Sequence, residues 1–77
     1  MRDLVTPFAN TLKRLATEPA VLIPEQRLRE TYHGKIGKSV RDALARQLPV
    51  SVPREEIRFV RLPGHIMLVN PRNAAGL

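Results

Sequence analysis

Seventy-seven residues make one small domain, which buries only about 60% of the surface its unfolded chain exposes. Cysteine is absent and only two histidines occur, which excludes a disulfide framework and a structural zinc site, so neither metal nor cofactor is expected. Thirteen Lys and Arg stand against seven Asp and Glu, giving a pI near 11.2. A GC-rich genome could account for arginine over lysine, but not for basic over acidic residues. The excess points to a polyanion, most simply RNA or DNA.

In chain order, Thr6-Pro7 opens a helix over 7–17, with Phe8, Leu12, Leu15 and Ala16 on one face and Pro19 as its stop. Ala20 to Ile23 is a short apolar run that reads either as a strand or as an extended segment across the core. Pro24 can open a second helix in which Leu28 and Tyr32 share a face and Arg27 and Arg29 flank it. Gly34 ends that helix near His33. Ser39 is placed to cap a third helix, with Asp42 in a capping-box-like position, and Val40, Ala43, Leu44 and Leu48 form its apolar side up to Pro49.

Beyond Pro53 the pattern becomes that of strands. Ile57, Phe59 and Arg61 alternate onto one side, while Ile66 to Val69 is a continuous apolar run expected of a strand buried on both faces. Pro63-Gly64 suits a type II turn, whereas tight hairpins prefer primed turns, so these strands pair through a longer loop or are not immediate neighbours. The expected architecture is α+β, three short helices packed on a small two- to three-stranded sheet. One basic domain spans 1–71, and 72–77 form a flexible C-terminal tail. No apolar run approaches the roughly 20 residues of a membrane span, and Met1 to Leu4 does not open a secretory signal, so the expected location is the cytoplasm, away from membranes.

The chemistry concentrates in Tyr32-His33-Gly34-Lys35-Ile36-Gly37-Lys38-Ser39-Val40. Glycine lets a backbone approach a ligand closely, and the first N–H groups of the next helix favour an anion. With Lys35 and Lys38 beside them, Gly34 and Gly37 make a candidate phosphate clamp. The competing reading is a plain helix–helix turn with Gly34 as C-cap and solvated lysines. Helix, Gly34-Lys35-Ile36-Gly37, helix with Val40 three residues after the second glycine, then strands, resembles the core of a KH domain over residues 20–69. That resemblance implies a KH-like fold whose G-x-x-G loop grips the backbone of about four nucleotides while an adjacent apolar groove takes the bases. This chain departs from the family in carrying His33 where an aliphatic residue usually precedes the first glycine.

Around the loop, Arg27, Arg29, Arg41 and Arg46 join the lysines as candidate phosphate contacts, and Tyr32 is the one aromatic near enough to stack on a base. Arg54, Arg58 and Arg61 follow nearby in sequence. Nothing assembles a catalytic constellation: Ser39 and Ser51 lack a nucleophile motif, and His33 and His65 lie in separate segments without carboxylate partners. The sequence therefore points to a non-enzymatic binder of single-stranded RNA or DNA. The rival is a small phage- or plasmid-type regulator or adaptor docking on an acidic surface of a polymerase, helicase or nuclease.

Overall fold

The computed structural model describes residues 6–34 and 36–74. The predicted first helix is realised as α1 (Ala9–Leu12), continued by a 3-10 turn at Lys13–Ala16. Phe8, Leu12 and Leu15 are buried, while Ala16 is exposed. The ambiguous run is a strand, β1 (Ala20–Pro24), which leads directly into α2 (Glu25–Thr31). Then come α3 (Lys38–Arg46), a 3-10 turn at Arg54–Glu56, β2 (Arg58–Leu62), β3 (His65–Val69) and α4 (Pro71–Ala74).

The architecture is α+β, with a three-stranded antiparallel sheet in the order β1-β3-β2. Val21 lies opposite Leu68 and Ile23 opposite Ile66, while Phe59 and Arg61 are their counterparts on β2. Side chains alternate along a strand, so these six share one face. Leu28 from α2, Val40 and Leu44 from α3, and Phe8, Leu12 and Leu15 join Val21, Ile23, Ile66 and Leu68 in one buried cluster. Phe8 apart, the buried core is aliphatic, as a sequence with only three aromatic residues requires.

Two expectations about the hairpin need correction. β2 and β3 are immediate neighbours, joined by Pro63-Gly64 alone, with Leu62 opposite His65. Gly64 has φ +77°, the value the third position of a type II turn requires, and its carbonyl accepts the Glu25 N–H at 2.9 Å. That bond anchors the turn to the start of α2. Nor is β3 buried on both faces: Ile66 and Leu68 are, but His65, Met67 and Val69 are only half-buried.

The predicted tail begins in ordered structure. Residues 71–74 form α4, and Asn73 Nδ2 donates to the carbonyls of Leu15 (2.8 Å) and Glu18 (3.1 Å). Buried Asn70 donates from Nδ2 to Leu15 O at 2.8 Å, and its Oδ1 accepts the Arg72 N–H. Residues 75–77 lie outside the described residues. Arg72 also grips Glu56 with a two-pronged contact, Nη2 to Oε2 at 2.7 Å and Nε to Oε1 at 3.0 Å.

A second polar knot fixes the helices. Gln47, 7% exposed, accepts the Phe8 N–H on Oε1 at 2.8 Å and donates from Nε2 to the Tyr32 hydroxyl and the Ala43 carbonyl, both at 3.0 Å. Replacing Gln47 by leucine keeps volume but orphans a buried donor, so Gln47→Leu should lower unfolding free energy by about 1–3 kcal/mol. Urea denaturation checks this, and an unchanged midpoint would contradict it.

The Glu56 carboxyl is held below its usual range, first by its hydrogen bonds to Arg72, against some loss of hydration. A carboxyl lowered in the folded state contributes stability above its unfolded pKa and loses it as pH falls through the folded value. Arg72→Ala should therefore raise the Glu56 midpoint in an NMR pH titration, and a midpoint that stays put would show that Arg72 is not its cause.

Candidate nucleic-acid interface

The loop between α2 and α3 is shaped by its backbone. His33 and Gly34 have φ +58° and +81°, two successive left-handed residues that turn the chain away from α2. The Gly34 N–H donates to Arg29 O at 2.6 Å, and Arg29 Nη1 donates back to Gly34 O at 2.8 Å. Arg29 Nη2 also meets Glu25 Oε1 at 3.3 Å, and that same oxygen takes Arg61 Nη2 at 2.6 Å. One carboxylate thus connects the loop-holding arginine to β2.

Gly37 behaves differently. Its φ of 171° is extended backbone, and open space surrounds the place where a Cβ would be. No steric contact in the free fold requires glycine there. Gly37 is the N-cap of α3, its carbonyl accepting the Arg41 N–H at 3.0 Å, and among the described residues no side chain caps the helix. Ser39, expected to cap, is instead the second helical residue and exposed, because the helix begins two residues earlier than a Ser39 cap would place it. Asp42 pairs with Lys38 Nζ at 3.2 Å rather than closing a capping box. Among the described residues, the leading N–H groups of α3 therefore have no side-chain acceptor.

Beside this loop runs a groove of about 210 Å³ between α3 and the edge of β2. Ile36, Val40, Leu44, Phe59 and Ile66 supply its apolar lining, and Val60 contributes at the strand edge. Gly37, Lys38, Arg41 and Arg61 complete it with backbone and positive charge. The Arg41 guanidinium lies over the Phe59 ring, 5.1 Å from its centroid, a cation–π arrangement that holds a charge over the groove wall.

The predicted site residues divide. Gly37, Lys38 and Arg41 line the groove, and Gly34 and Arg29 shape the loop at its end. Lys35 lies outside the described residues. Arg27 sits over the buried Phe8 ring at 5.1 Å, away from the groove lining. Tyr32 is not presented for stacking: its ring lies 6.0 Å from that of Phe8, and its hydroxyl is held by Gln47. Arg46, in the last turn of α3, is exposed but does not line the groove.

Phe59 and Arg61 were not among the predicted contacts. Their signal was the alternation from Ile57, which puts a charge on the side otherwise reserved for apolar residues. No three His, Asp or Glu residues converge on a possible metal position among the described residues, and no helix there is long and apolar enough to cross a membrane. Comparison with family models, curated proteins and solved structures gives no match.

The two loop glycines should respond unequally to alanine. Gly34→Ala forces a side chain into positive φ and should cost about 1–2 kcal/mol. Gly37→Ala should cost less, about 0.5 kcal/mol, because alanine meets no clash there but is the poorer N-cap. Thermal unfolding of both variants checks this, and equal losses would contradict it.

Proposed function

We infer that this protein is a non-enzymatic, cytoplasmic binder of single-stranded RNA or DNA. Backbone phosphates meet the Gly34–Gly37 loop and the start of α3, and bases enter the groove beside it. The observation carrying this reading is the continuity of three features: a glycine-spaced bend, an uncapped helix start with Lys38 and Arg41, and an apolar groove opening from them. Phosphate is favoured where free N–H groups and cations converge. Bases, which bring flat apolar faces, are favoured against Ile36, Val40 and Phe59. The KH-like resemblance of the sequence carries the same pairing as its expectation, a G-x-x-G clamp with an apolar groove beside it.

Glycine at position 37 gains a reason in this reading. The fold uses it only as a modest N-cap, whereas a sugar–phosphate chain passing close to the backbone gains directly from the missing side chain. Lys38 and Arg41 supply the charge, with Lys35 assigned alongside them from its place in the loop. Arg29 acts indirectly, by fixing the Gly34 carbonyl.

The test is fluorescence-anisotropy titration with single-stranded RNA, single-stranded DNA and duplex DNA at two salt concentrations. Each phosphate-neutralising residue contributes about 0.7 to the slope of log affinity against log salt on a single strand. Lys38→Ala should reduce that slope by about this amount, and adding Lys35→Asp should weaken binding at least about tenfold. Ile36 is left alone because it packs against the core. A folded double variant that binds as tightly as the parent would remove the reading.

A further inference from the structure

The sheet has a second face, and it is built wrongly for water. Register and alternation place Ala20, Leu22 and Pro24 of β1, His65, Met67 and Val69 of β3, and Arg58, Val60 and Leu62 of β2 on the side away from the helices. A solvated face of an antiparallel sheet normally carries polar residues. Here the middle row, Leu22-Met67-Val60, is wholly apolar, and seven of the nine positions are apolar. Leu22 is 51% exposed and Leu62 36%.

Size limits what can cover it. Three five-residue strands present about 16 by 14 Å in plan, about 230 Å², whereas a stable interface between two copies takes about 800 Å² from each. A single helix about 10 Å across and about 11 residues long matches the patch. Charge limits it further. The face carries Arg58 and His65 but no acidic residue, and among the described residues neither Arg58 nor nearby Arg54 has a carboxylate partner. The chain's net charge of +6 opposes a second copy and attracts an acidic partner.

We propose that this outer sheet face is a docking surface for an acidic amphipathic helix of another protein. The helix lays its apolar stripe along the Leu22-Met67-Val60 row and sets carboxylates against Arg58. This surface lies on the other side of the sheet from the core and does not rest on the nucleic-acid reading. A protein with both surfaces can hold a nucleic acid and a protein partner at once, as an adaptor does.

The experiment titrates the ¹⁵N-labelled full chain with a synthetic helical peptide of about 14 residues, leucines at i, i+3, i+4 and i+7 and glutamates elsewhere. A control peptide carries lysine in place of glutamate. The expected result is saturable amide shifts in β1, β3 and β2 for the acidic peptide alone. Met67→Asn or Leu22→Asn, which remove the apolar contact without changing charge, should raise its Kd at least about tenfold while leaving oligonucleotide affinity unchanged. Both side chains reach solvent, so the variants should fold, and their amide spectra verify it. Absence of saturable shifts on this face, equal binding of the lysine peptide, or a dimer in sedimentation velocity that Met67→Asn abolishes would each overturn the proposal.

Discussion

Val21, Ile23, Ile66 and Leu68 project from one face of a sheet only three strands wide, and the sheet persists because helices cover them. Strands of five residues cannot hold together in water on backbone hydrogen bonds alone. The cover comes from two stretches of the chain: Leu12 and Leu15 before β1, and Leu28, Val40 and Leu44 between β1 and β2. Because β1 pairs with β3 rather than β2, the helical segment from Glu25 to Arg46 is enclosed between the first strand and the closing hairpin. The loop at its midpoint, Gly34–Gly37, is thereby placed at the end of a groove between α3 and the β2 edge. Fold and site follow from the same packing requirement.

That requirement also governs how charge is used. Of the arginines near the loop, Arg29 and Arg61 share Glu25, and Arg27 covers the Phe8 ring. These contacts are exposed and individually weak, on the order of 1 kcal/mol or less. Their effect is to fix positions. Arg29 holds the Gly34 carbonyl, while Arg61 stands at the groove with its charge already partly met. Lys38 shares Asp42 across one helical turn, a loose exposed pair that a phosphate can displace. Arg41 has an aromatic ring for its neighbour and no carboxylate among the described residues, which leaves it the groove cation with most to give an incoming anion.

Periodicity and proline placement located the elements, since Pro19, Pro24 and Pro53 lie at or beside their boundaries and Pro7 and Pro49 fall just outside α1 and α3. What they could not disclose is what happens between elements distant in sequence. The direct β2–β3 hairpin was obscured because a Pro-Gly type II turn is unusual in a two-residue connection, and here the Glu25 N–H on Gly64 O helps to hold it. Gln47 and Asn70 look like ordinary surface amides in the sequence. Only the folded chain brings the Phe8 N–H and the Leu15 carbonyl to them across 39 and 55 residues. The spacing of Tyr32 from Leu28 allows either a core ring or a stacking platform, and its partners Phe8 and Gln47, distant in the chain, hold it as a core ring. Conversely, the apolar run Ile66 to Val69 implied cover on both faces, and this chain supplies it on one.

Entry of a single strand into the groove beside Gly34–Gly37 is read from amide shifts on the labelled protein titrated with a short single-stranded oligonucleotide at low salt. The shifts should cluster from Ile36 through Arg41 and at Phe59 to Arg61, fading as salt rises. Shifts confined to other surfaces, or none at concentrations where basic proteins of this size bind nucleic acid, would contradict it.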